Sequence, residues 1–212
     1  IDAINAELDK AVDKEIMVYV HGTKVDFANA AALTAEIDHF AGRDFVGLAF
    51  SWPSHQNILL YLAGIDVLRA LNSSAAVHRL LALLAEHTRA EHINILAYSA
   101  GGKVVSKALV EMRHAFPDLD ADALRDRFRI ASVVFAAIDV DVDVFLRRLP
   151  AVSELADQVV ITVTDDDNAL KAARKAMGGR VRAGAEEAMD KEERFIVAKR
   201  LSNVEIIDVS FG

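Results

Sequence analysis

Asn94-Ile95-Leu96-Ala97-Tyr98-Ser99-Ala100-Gly101-Gly102-Lys103-Val104-Val105 is the stretch whose reading decides the fold. Ile93, Ile95 and Leu96 make the short apolar run of a buried central strand. Val104, Val105, Ala108, Leu109 and Met112 recur at helical spacing, so a helix leaves the turn. Ser99 stands at the join. This is the form of a nucleophile elbow, a strained strand-to-helix turn that projects a serine hydroxyl from the sheet. So tight a turn needs small residues two positions to either side, here Ala97 and Gly101. Glycine is usual at both, so Ala97 is a mild departure. The helix aims free N–H groups and its positive dipole end at the reacting centre, and the N–H of Ala100 is placed to bind an oxyanion. Taken alone, the motif also fits a strand-to-helix joint that holds a serine by chance.

Outward from the elbow, apolar runs alternate with helical patterns. Asn5 to Lys14 is a polar helix candidate, and Ile16 to Val20 is a strand apolar on both faces that runs into His21-Gly22-Thr23. Phe27 to Phe40 follows as a helix with Leu33, Ile37 and Phe40 on one stripe, then Phe45 to Phe50 as a strand closed by Ser51-Trp52-Pro53-Ser54. A helical region spans Ile58 to His87, with a break expected at Asn72-Ser73-Ser74. The elbow helix should stop before Pro117. Beyond it, strands are expected at Ile130–Ala137, Val159–Val163 and Val204–Ile207. Helices are expected at Val142–Leu149, Ala169–Met177 and Glu186–Arg200. This alternation predicts one α/β domain over residues 1–212, with a mostly parallel central sheet and helices on both faces as a three-layer sandwich. Ligands of such sheets sit beyond the carboxyl ends of the strands. Ser99, Thr23, Trp52, Asp139 and Asp165 to Asp167 all fall there.

With 212 residues, 53% of them hydrophobic, and 3 prolines, the chain favours a packed core over disorder. A net charge of −8 and the lack of a basic cluster argue against nucleic-acid binding. Zero cysteines exclude disulfides, thiolate metal sites and a cysteine nucleophile. The chain starts at Ile1 without methionine and ends on Phe211-Gly212, and both ends look cut. That leaves room for membrane attachment through a segment preceding Ile1 and for a bacterial cell-envelope location, with the cytoplasm as the alternative.

An ordered set of motifs now stands out. It comprises Val18-Tyr19-Val20-His21-Gly22-Thr23, Phe50-Ser51-Trp52-Pro53-Ser54, Tyr61…Asp66…Arg69-Ala70…Ser73, the elbow, Asp167-Asn168-Ala169-Leu170, Arg182-Ala183-Gly184 and Ile207-Asp208-Val209-Ser210. The set resembles the α/β-hydrolase superfamily and, within it, a bacterial group known as domain of unknown function 900. The resemblance implies an α/β-hydrolase fold, with Thr23 supplying the second oxyanion N–H beside that of Ala100. Independently, Gly22 lets the backbone pass close to a serine, so that the next N–H can face developing charge. His21 precedes that turn and is expected to pack under the loop rather than to transfer protons.

A triad on this fold runs Ser, acid, His along the chain. Two acid clusters follow strands: Asp165-Asp166-Asp167, and Asp139, Asp141 and Asp143. The resemblance selects Asp167. The spacing of Asp139, Asp141 and Asp143 also suggests the start of a calcium loop, but Val144 and Pro150 stand where glycine and glutamate belong, so no metal is expected. All seven histidines, His21, His39, His55, His78, His87, His92 and His114, precede the preferred acid. In the group that Ile207-Asp208-Val209-Ser210 resembles, the pattern continues into a Gly-His pair, so the base is expected beyond Gly212. Trp52 is expected to line the pocket, and Tyr61, Leu62, Ile65 and Leu68 to wall it.

The expectation is a serine hydrolase cleaving carboxylic esters through an acyl-enzyme at Ser99, with small-molecule ester substrates and no cofactor. The alternative is a non-catalytic domain that uses the same fold for binding or as a scaffold.

Overall fold

The computed structural model describes residues 1–164, 182–184 and 200–210. Its element order is α1 (Asp2–Lys10), β1 (Glu15–Val20), α2 (Phe27–Phe40), β2 (Val46–Phe50), α3 (Ile58–Leu62), α4 (Ile65–His87), β3 (His92–Tyr98), α5 (Gly101–His114), α6 (Ala121–Phe128), β4 (Ile130–Ala136), α7 (Val142–Leu155), β5 (Ala156–Val163) and β6 (Val204–Asp208). The six strands form one sheet in the order β2-β1-β3-β4-β5-β6, and every neighbouring pair is parallel. Right-handed crossovers put α2, which steps from β1 outward to β2, on the face opposite α4, α5 and α7, which step the other way. α4 packs on α5 and α5 on α7, as that layering requires.

The strands are apolar because both faces are covered. Ile16, Val18, Val20, Ile93, Ile95, Val133, Phe135, Val159 and Ile161 are at most 1% exposed. Register places Val20 beside Ala97 and Phe50 beside Val20, so β1, β2 and β3 end at one rim. Ser99 follows that rim by two residues.

Several expected boundaries move. The break in the long helix falls at Gly64, whose φ of 85° only glycine holds without strain, and not at Ser73 or Ser74. Those serines stay helical because their hydroxyls donate to the carbonyls of Arg69 and Leu71. α2 turns a different stripe inward: Ala30 and Thr34 are buried, whereas Phe40 is 85% exposed. Thr34 fits there because β2 offers Gly47, where a Cβ would meet the threonine methyl at 3.2 Å. α7 continues through Pro150 to Leu155. α6 was not anticipated. Asp120 caps it by accepting from Ala123 N–H. The helices expected at Ala169–Met177 and, apart from Arg200, at Glu186–Arg200 lie outside the described residues.

Candidate active site

Ser99 is held in the left-handed region, at φ 51°. Its main chain is gripped on both sides. The N–H donates to Ala136 O (3.0 Å), and the carbonyl accepts from Gly102 N–H (3.0 Å) and Asp139 N–H (3.2 Å). The elbow also presses on β1. A Cβ on Gly101 would run into the Val20 carbonyl oxygen and lie 2.8 Å from that of His21. Only glycine lets the two backbones approach so closely.

The turn after β1 lies directly against the serine. A Cβ on Gly22 would lie 3.0 Å from Ser99 Cβ and 3.3 Å from Tyr98 Cδ1. His21 anchors this turn from beneath. Fully buried, it accepts from Trp52 N–H at Nε2 (3.1 Å), which leaves Nδ1 to donate to Gly22 O (2.7 Å). The Trp52 indole N–H donates to His21 O (2.7 Å), and the two rings stack at 5.3 Å. Burial pulls the His21 pKa below its usual 6.5, against the opposing pull of the Gly22 and Trp52 backbone groups and of Asp26. A neutral, structural imidazole results. Ser54 Oγ then brackets the far end of the turn, donating to Val25 O (2.7 Å). Among the described residues, neither Thr23 N–H nor Ala100 N–H donates to another group, and Thr23 Oγ1 is buried without a hydrogen-bond partner.

Behind the elbow sits a buried ionic cluster. Asp139 Oδ2 accepts from Lys103 Nζ (2.9 Å) and from the Tyr61 hydroxyl, while Lys103 Nζ also donates to Tyr61 Oη (2.7 Å). Arg182 Nε lies 3.0 Å from Asp139 Oδ1, an ion pair by charge and distance but off the line of a good hydrogen bond. All three charged side chains are at most 8% exposed. Burial, reinforced by Arg182 and Arg148, holds the Lys103 pKa well below the usual lysine range.

A family model described as an alpha/beta hydrolase of unknown function (DUF900) matches residues 2–210. The chain belongs to that family. This alpha/beta hydrolase is similar in fold to an uncharacterized protein from Bacillus cereus (15% identity, TM-score 0.55, covering 93% of this chain and 53% of that one). It also resembles a dienelactone hydrolase from Anabaena variabilis (13%, 0.54, 94% and 75%) and an inhibited esterase B from Lactobacillus rhamnosis (11%, 0.51, 95% and 66%). The chain thus spans about half the length of the Bacillus cereus protein. No curated protein matches it in sequence.

In this alpha/beta hydrolase, Ser99, Ala100 and Thr23 share one rim, because Gly22 and Gly101 bring β1 and the elbow together. Asp165, Asp166 and Asp167 lie outside the described residues. Trp52, expected as pocket lining, is 1% exposed and supports the Gly22 turn from below. Tyr61 likewise points inward to Asp139, while Ile65 and Leu68 are 43% and 65% exposed. Asp141 caps α7 by accepting from Val144 N–H, Asp143 is exposed in that helix's first turn, and no metal-binding group of carboxylates and histidines occurs among the described residues. All seven histidines are described, and none hydrogen-bonds to Ser99. His55 is held by the buried Asp66, which accepts its ring Nδ1–H (2.6 Å) and its main-chain N–H (2.9 Å). Sequence reasoning missed Lys103 as a buried partner. Its position one helical turn after Ser99, on the apolar face with Val104 and Ala108, was the available signal.

Proposed function

We propose that this alpha/beta hydrolase cleaves carboxylic esters of small molecules through an acyl-enzyme at Ser99. The observation that carries the reading is the strained elbow: a serine at φ 51° with the Gly22 turn packed on its Cβ. In the proposed mechanism Ser99 Oγ attacks the acyl carbon, its proton passes through a histidine expected after β6 to the departing alcohol, and water then cleaves the acyl-enzyme to release the acid and restore Ser99. Asp167 orients that imidazole, and the N–H groups of Thr23 and Ala100 hold the oxyanion. Among the described residues both N–H groups lack another acceptor, as an oxyanion hole requires. The similarity to an esterase crystallised with a tributyrin phosphonate inhibitor supports an ester substrate. Apart from the hydrolytic water, each step uses only side-chain and main-chain groups, and the proposal invokes no cofactor. The test is turnover of p-nitrophenyl butyrate by the full-length protein. Ser99→Ala should fold normally and lose nearly all activity, and full retention would end the proposal.

A second reading, a non-catalytic binding or scaffold domain, is favoured by one observation: none of the seven histidines reaches Ser99. Absence of turnover by the full-length wild-type protein would support it.

A further inference from the structure

We infer that Asp139 is a positioning residue for the Ser99 elbow, gripping the serine through its main-chain N–H while Lys103, Tyr61 and Arg182 grip its carboxylate. The inference rests on Ser99 being the reacting group.

One short segment leaving β4 holds both main-chain polar groups of Ser99: Ala136 O takes its N–H, and Asp139 N–H donates to its carbonyl. Between these two residues, Ala137 is itself held at φ 46°, with its N–H donating to Thr162 Oγ1. Two left-handed residues that face each other across two hydrogen bonds are strained conformations that persist only where the surroundings over-determine them.

Side chains from elsewhere in the chain fix this segment. Lys103 lies one turn along α5 from Ser99, so its bond to Asp139 closes a ring: Ser99 carbonyl, Asp139 N–H, Asp139 carboxylate, Lys103, α5 and back to Ser99. Tyr61 brings α3 to the same carboxylate. Arg182 brings a third piece of chain. In it, Ala183 N–H donates to Val140 O (2.8 Å) and Gly184 N–H to Ile138 O (3.0 Å), and a Cβ on Gly184 would lie 2.6 Å from Ala137 C. Three chain segments far apart in sequence thus converge on one carboxylate behind the serine.

Among the described residues, Lys103 and Arg182 are buried against one carboxylate and a phenol. Removing the carboxylate strands buried cations, so the segment cannot keep its place without it. A carboxylate committed to three such partners is also poorly placed to orient an imidazole, which separates Asp139 from the role proposed for Asp167.

The test compares wild type with Tyr61→Phe, Lys103→Met and Asp139→Asn in the full-length protein. It reads amide hydrogen exchange at residues 99–103 and 136–140, together with the rate and pH midpoint of Ser99 labelling by a fluorophosphonate. Tyr61→Phe keeps the ring and its packing. The expected result is faster exchange of the Gly102 and Asp139 amides in all three variants. Labelling should slow ~10- to 100-fold, as for a nucleophile displaced by a fraction of an ångström to an ångström, with an unchanged pH midpoint. If Asp139→Asn does not fold, Tyr61→Phe and Lys103→Met decide. Wild-type exchange at these amides in folded Tyr61→Phe and Lys103→Met would overturn the inference. So would a shifted pH midpoint in Asp139→Asn with Tyr61→Phe unaffected, since that marks Asp139 as the residue orienting the base. If wild type takes no label yet exchange responds as expected, the ester-hydrolase reading fails while the positioning role stands.

Discussion

A side chain on Gly22 would press on Ser99: a Cβ built there lies 3.0 Å from Ser99 Cβ. The Gly22 turn and the Ser99 elbow are therefore one packed unit, with no room for a side chain between them. Gly22→Ala pushes the serine or the Thr23 N–H out of line. Ester turnover should fall ~100-fold, as for an ångström-scale misplacement, with a small change in melting temperature. Gly101→Ala meets the backbone carbonyls of Val20 and His21, which cannot swing aside, and should cost about 1–3 kcal/mol in urea denaturation.

Thr23 offers a cleaner separation of stability from chemistry. Among the described residues its hydroxyl is buried without a partner, while its main-chain N–H is the proposed oxyanion donor. Thr23→Val removes the unpaired hydroxyl and keeps the N–H, so it should stabilise the protein by about 1 kcal/mol in urea denaturation. The kcat for a p-nitrophenyl ester should stay within about threefold, because the proposed oxyanion donor is retained. A large drop in kcat would make the hydroxyl a donor in its own right.

Ile95, Val18 and Val133 announced buried parallel strands, because doubly covered strands are apolar without alternation. Gly101 and Ser99 announced the elbow, because few other sequences tolerate that turn. Phe40 misled: its bulk suggested an inward stripe, yet Thr34 is the residue that fits against Gly47. Ser73 and Ser74 resembled a helix start, since a serine hydroxyl caps a new helix as readily as it bonds back to its own. The Lys103–Asp139–Tyr61–Arg182 cluster was missed for a different reason, although the place of Lys103 on the apolar face of α5 hinted at it. Its members are far apart along the chain, and a lysine or arginine ordinarily signals solvent.

His21 makes the site sensitive to acid. In the unfolded chain it protonates at the usual 6.5; in the folded protein burial lowers that value. Between the two values the unfolded state binds more protons, so this contribution to stability is complete above 6.5 and is lost as pH falls through the folded value. Melting temperature should decline with acidification below 6.5, and His21→Asn should flatten that decline. An unchanged slope in His21→Asn would show that other groups set it.

The two candidate acids should separate in kinetics. Asp167→Asn should lower kcat about 10⁴-fold with little change in KM, because a triad acid acts on the imidazole and not on substrate binding. Asp139→Asn should reduce kcat far less in whatever fraction folds, and should cost stability of about 3–5 kcal/mol through the buried cations it strands. The reverse ranking in kcat would move the acid to the segment after β4.

Covalent labelling tests the central claim most directly. The full-length protein is incubated with a fluorophosphonate and digested, and the modified peptide is located by mass spectrometry. A serine reacts at a useful rate only when a proton acceptor lies within about 3 Å of its hydroxyl or one water away. The account predicts a single adduct on the peptide carrying Ser99, absent in Ser99→Ala and blocked by prior incubation with an ester substrate. An unlabelled protein, or an adduct on any other residue, would contradict it.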